Sequence, residues 1–287
     1  MTVGNAPHAP LRRWPCRVAA WARGLALLLV ACRPAAAPAP ALPPHRVLAG
    51  PKDLLEVIGD ASPRILGVGE LHATVDRPGE LAAIDWFTDG LLPLLAPSAT
   101  DLVIETWVFP GDCGAAEQVV AERLPEETRR PPETEDAIAR LARRARELGV
   151  TPHALELSCD DYAAVVDAQG QVVYDRLLAV MTQKLRELAL QGLATPDARV
   201  ILYGGAVHND LHPREALAAY SYVPAVAERD PAAYLELDLY PPAAAAAQAG
   251  FAEEPWFPLV AGATGPDRIV LFEREPRSMI ALLPTGG

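Results

Sequence analysis

Four short apolar runs separated by helical patterns limit what this chain can become. They are Ile65 to Gly69, Asp101 to Thr106, Thr151 to Leu157 and Arg199 to Gly204. Each is short, bounded by polar residues or glycine, and apolar with little alternation, as in strands buried on both faces. Between them apolar residues recur at helical spacing. Leu81 to Leu95 carries one broad apolar face. Glu135 to Leu148 turns Ile138, Leu141, Ala145 and Leu148 inward and four arginines outward. Leu177 to Leu190 aligns Leu178, Met181, Leu185 and Leu188. Strand and helix in alternation predict a parallel or mostly parallel sheet with helices on both faces. Pro51 to Asp60 and Pro213 to Tyr220 read as further helices, and Ala233 to Tyr240 as a further strand. Arg268 to Glu273 and Met279 to Leu283 read as a closing antiparallel pair, which makes the sheet mixed. Glu122 to Glu135 is polar and proline-rich and reads as a surface loop. The expectation is a single α/β domain over 46–287.

The segment before that domain reads differently. Residues 1–31 hold Arg12, Arg13, Arg17 and Arg23, no acid, and then the apolar run Gly24 to Ala31. A run of this length falls short of the roughly 20 residues a bilayer span needs, but fits the core of a secretory signal. It ends in Leu29-Val30-Ala31-Cys32, which resembles the lipobox of bacterial lipoproteins, with Cys32 as the lipidated residue. Residues 32–45 are rich in proline and alanine, a composition that favours an extended tether. The expectation is an exported protein held by a lipid anchor at Cys32 in the cell envelope, on the outer membrane.

The chain carries a net charge of −12. Without the four arginines of the leader, 21 basic residues stand against 37 acidic ones, a net −16. That balance disfavours nucleic acid and anionic headgroups as partners. Of the four cysteines, Cys16 and Cys32 belong to the front end. Cys113 and Cys159 form either a disulfide or two separate buried thiols, and their spacing alone does not choose.

The residues suited to chemistry stand where strands run out. Glu70 and His72 end the first strand, Glu105 the second, and His208 follows the fourth. In a parallel sheet such ends share one edge, where α/β folds bind ligands. Several common sites are missing from the sequence: no G-x-S-x-G elbow, no H-E-x-x-H helix, no P-loop and no C-x-x-C pair. Gly67-Val68-Gly69 begins like a dinucleotide turn, but His72 fills the position of the third glycine. Two imidazoles and two carboxylates suit a divalent transition metal, or a carboxylate acting as base on metal-bound or free water. Asp160, Asp161 and Asp238 are further candidates. His212 reads as a solvated loop residue, and His153 starts its strand and so belongs to the opposite edge.

Three motifs, G-E-L-H at Gly69 to His72, V-I-E at Val103 to Glu105 and G-A-V-H at Gly205 to His208, together resemble a superfamily. It contains TIKI-type metalloproteases, erythromycin esterases and ChaN-type haem-binding lipoproteins. The resemblance covers about residues 60–240 in order and spacing. It implies an α/β fold with Glu70, His72, Glu105 and His208 in one cleft, as metal ligands, as catalytic groups or as both. It implies a hydrolase of peptide or ester bonds using manganese, cobalt or zinc, as in the TIKI branch, or an imidazole that activates water, as in the esterase branch. The alternative is a haem or iron-complex carrier for iron uptake, with Tyr203, Tyr220, Tyr222 and Tyr240 as phenols within reach of consideration; a third outcome is a member that has lost activity. After His72 the sequence reads A-T-V-D and departs from the haem-binding branch. The expected partner is a peptide or small-molecule substrate.

Overall fold

The computed structural model describes residues 42–75, 82–262, 265 and 268–285. The signal segment, Cys16, Cys32 and Leu81 lie outside the described residues, as does most of the tether. The described chain runs β1 (Arg46–Leu48), α1 (Pro51–Ala61), β2 (Ile65–Glu70), α2 (Ala82–Trp86), a π-helical turn (Phe87–Leu91) and α3 (Leu92–Leu95). It continues with β3 (Asp101–Val108), α4 (Ala115–Thr128), α5 (Glu133–Glu147), β4 (Thr151–Glu156), α6 (Cys159–Val165) and α7 (Tyr174–Ala194). Then follow β5 (Val200–Gly205), α8 (Ala206–Asn209), a 3₁₀ turn (Glu215–Tyr220), α9 (Val223–Arg229), β6 (Tyr234–Tyr240), α10 (Pro242–Ala247), β7 (Ile269–Glu275) and β8 (Ser278–Leu282).

The eight strands form one sheet in the order β1-β7-β8-β6-β2-β5-β3-β4. β2 pairs in parallel with β5 on one side and β6 on the other. β3 and β4 extend the parallel part, and β7 is antiparallel to both β1 and β8. The fold is therefore α/β with a mixed, mostly parallel sheet. Leaving β2, the chain travels to β3 and β4, returns to β5, and then crosses to β6 beyond β2. That change of direction opens a crevice over the carboxyl ends of β2 and β5.

Alternation along the strands divides the core. Leu66, Val68, Leu102, Ile104, Ile201 and Tyr203 pack under α1, α2, α3 and α5. Ile65, Val103, Val200 and Leu202 pack on the other face, under α6, α7 and α9 with part of α4. Period-two alternation thus serves two apolar faces at once, which is why the strands read as continuous apolar runs.

Two local expectations need correction. The helix expected from Leu81 to Leu95 is helical from Ala82 on but carries a π turn, Phe87–Leu91, within it. There Thr88 Oγ1 donates to the Ile84 carbonyl at 2.6 Å, and Pro93 beyond it has no N–H to give. The surface loop expected over Glu122 to Glu135 is mostly helix: α4 runs on to Thr128 and α5 begins at Glu133. Pro125 sits inside α4, and its apolar residues are spread around the helix rather than gathered in a readable stripe. Only residues 129–132 are loop.

Cys113 and Cys159 are joined in a disulfide across 46 residues of sequence. It ties the segment leading into α4 to the first residue of α6. No helix among the described residues is long and apolar enough to cross a membrane.

Candidate functional site

Glu105 at the sheet edge is held by what its strand neighbours lack. Glu105 follows Ile104 on β3 and leans over β5, where Gly204 and Gly205 have no side chains. A Cβ on Gly204 would collide with the Glu105 carboxylate and lie 2.6 Å from its Cβ. A Cβ on Gly205 would lie 2.7 Å from His72 Nε2. The second glycine also donates its N–H to Glu105 Oε2 at 2.6 Å. Replacing Gly204 with alanine is therefore expected to cost about 2 kcal/mol of stability through overpacking. Denaturant unfolding checks this, and an unchanged midpoint would contradict the close approach.

Four residues meet above these glycines. His72 Nδ1 lies 3.2 Å from Glu70 Oε1, and Glu70 Oε2 accepts the Tyr203 hydroxyl proton. Glu70 can only accept when ionised, so Nδ1 carries the proton and Nε2 is turned into the cleft. Nε2 lies 3.3 Å from Glu105 Oε1. On the far side of Glu105, His208 Nε2 stands 3.9 Å from the same oxygen. His208 Nδ1 donates to the Tyr220 carbonyl at 2.6 Å, so its Nε2 also faces the cleft. Glu105 and His208 are buried, while the His72 side chain is 31 % exposed and meets solvent.

A fifth member, Arg130, was not among the residues expected from sequence. Its Nη2 lies 3.0 Å from His72 Nε2 and 3.6 Å from Glu105 Oε1. It comes from the short loop between α4 and α5, which was read as plain surface. Two features fix that loop. The Val75 N–H donates to the Arg129 carbonyl at 2.8 Å, joining it to the segment after His72. Pro131 and Pro132 then limit the backbone before α5 starts. The dipeptide of prolines after an arginine was the one readable signal.

The charges set the protonation. Burial alone would raise Glu105, but the neighbouring imidazoles of His208 and His72 and the Arg130 guanidinium outweigh it and hold the carboxyl well below the usual range. For His72, burial and then Arg130 act to lower the pKa; Glu105 and Glu70 overcome both, and the net shift is upward from 6.5. Glu105 is thus a fixed anion, and His72 is the group poised to exchange a proton.

Ligand atoms about 2.0–2.3 Å from a transition metal lie within about 4.6 Å of one another. Among the described residues, the only three such groups found within 4.8 Å of one another are Asp112, Cys113 and Cys159, and those sulfurs are bonded to each other. Glu70, His72 and Glu105 instead stand in a row, each within 3.3 Å of the next, with the Arg130 guanidinium against His72 and His208 3.9 Å beyond Glu105. The phenols named for haem are engaged: Tyr203 with Glu70, Tyr222 with Asn209, Tyr240 with Asp238 and Tyr220 with Asp175. Burial raises the first three and Asp175 raises Tyr220, so none is readily a phenolate.

The remaining candidates fall outside the cleft. Asp161 closes the capping box of α6 with Ser158 and pairs with Lys184 at 2.8 Å. Asp160 is exposed. Asp238 is buried in β6, where its Oδ2 accepts from Tyr240 at 2.8 Å. His212 is exposed, and His153 pairs with Asp101 at the opposite edge of the sheet, 2.7 Å apart.

No family model matches the sequence, and no curated protein matches it. Among solved structures, the type III effector HopBA1 is similar at a TM-score of 0.41 and 14 % identity. That match covers 68 % of this chain and 86 % of the effector. A Bacillus cereus protein is similar at 0.35 and 11 % identity, over 68 % of this chain and 72 % of that one.

Proposed function

We propose that this chain is a hydrolase of ester or peptide bonds in which His72 activates water without a metal. One observation carries the reading: an imidazole oriented by a carboxylate at Nδ1 presents Nε2 beside a guanidinium and an ionised glutamate. In the reaction the substrate carbonyl oxygen takes the Arg130 donor that now rests on Nε2. Nε2 then accepts a proton from water as the water oxygen bonds to the carbonyl carbon. Glu70 stabilises the imidazolium, and Arg130 stabilises the oxyanion. The bond to the leaving group breaks, His72 returns the proton to it, and water has been added across the bond. Glu105 holds Arg130 and His72 in place, and His208 supports Glu105 from behind.

The leader pattern and the tether motif favour an exported lipoprotein anchored at Cys32. The Cys113–Cys159 disulfide supports export, since such bridges persist in oxidising compartments.

Turnover of 4-nitrophenyl butyrate by the metal-stripped protein tests the reaction. The expected result is activity that survives chelation and falls about 100-fold in Arg130→Ala, with partial retention in Arg130→Lys. Activity that vanishes on chelation and returns with one equivalent of manganese, cobalt or zinc would overturn the metal-free reading.

A further inference from the structure

Arg130 belongs to two places at once. One side reaches His72 and Glu105. The other lines a groove of about 680 Å³ at the β3–β4 edge of the sheet, between α4 and α5. Its walls include Ile104, Trp107, Phe109, Leu124 and Ile138. The volume is in the range of sites that bury a small molecule, and the walls are mostly apolar, with Glu135, Arg146 and His153 also on the lining. A second observation points the same way. Exposed apolar side chains follow or precede the candidate residues in the chain: Val75 after His72, Val108 and Phe109 after Glu105, and Val207 before His208, and Phe109 is itself part of the groove wall.

We infer that the groove holds the apolar chain of an ester substrate, a medium-length acyl group, with its carbonyl at Arg130. This rests on the hydrolytic reading and adds the substrate class to it. The order is complementary: a polar, polarisable carbonyl meets Arg130, which the groove shares with the cleft, and the methylenes lie along the apolar wall of Ile104, Trp107, Phe109, Leu124 and Ile138. A chain in the groove leaves water for attack on the exposed side of His72. Each methylene removed from water strengthens binding, so specificity follows acyl length.

The test uses the full chain and 4-nitrophenyl acetate, butyrate and octanoate, with decanoate binding measured separately by calorimetry. Expected is a kcat/KM at least 10-fold higher for octanoate than for acetate. Ala121→Trp, which fills the groove from α4, is expected to remove that preference and decanoate binding while leaving acetate hydrolysis unchanged. Ala139→Trp, on the exposed rim of α5, repeats the block should the first variant fold poorly. Equal rates for acetate and octanoate, unaffected by either tryptophan, overturn the groove but leave the hydrolase. Decanoate binding that either tryptophan abolishes, with no ester turned over, supports the groove and overturns the hydrolase.

Discussion

Replacing His72 with alanine is expected to lower kcat/KM for ester hydrolysis about 10³-fold while the protein still folds. The fold is spared because the side chain is partly exposed, and Glu105 keeps the Gly205 N–H and its neighbours Arg130 and His208. The rate is not spared, because His208 stands behind Glu105, away from Arg130, and no other imidazole among the described residues lies against the guanidinium. Glu105 is held too far down to be a base, and Tyr203 is pushed too far up. The pH profile carries the sign. A base works only when deprotonated, and the pKa of His72 is raised above 6.5. Activity should therefore rise with pH through an apparent pKa above 6.5. Replacing Glu105 with glutamine removes a charge that raises His72, so the inflection should move toward acid. Wild-type kinetics across pH, beside this variant, check both points. An inflection that stays in place would remove Glu105 from the account.

Removing the disulfide is expected to cost about 4 kcal/mol, because the bridge closes a loop of 46 residues in the unfolded chain. In a domain of this size that loss lowers the melting temperature by about 10 °C. The double variant Cys113→Ala and Cys159→Ala, or the native protein under reductant, measures it by calorimetry. Activity at low temperature should persist, since neither sulfur touches the cleft. Equal melting temperatures with and without reductant would mean that the bridge contributes nothing.

The sequence showed the sheet better than the helices, for a physical reason. Strands buried on both faces must be apolar throughout, so Ile65 to Gly69 and Arg199 to Gly204 announce themselves. Helix α4 packs only a few side chains, carries acids along its length and contains Pro125, so its pattern resembles a loop. Arg130 was missed for the same reason, because its loop was folded into that false one. The four expected site residues do meet, since parallel strands deliver their carboxyl ends to one edge. What no spacing could reveal is how they meet. The separation of His72 from His208 around Glu105 depends on two glycines of β5 and on the Tyr220 carbonyl, all remote in sequence.

A titration of the His72 imidazole by nuclear magnetic resonance, with and without one equivalent of zinc, bears on the whole proposal. The expected result is a Cε1 resonance that titrates above 6.5, an Nδ1 proton retained toward Glu70, and no response to zinc. A pKa at or below 6.5, or a stoichiometric zinc shift at Nε2, would contradict a metal-free base at His72.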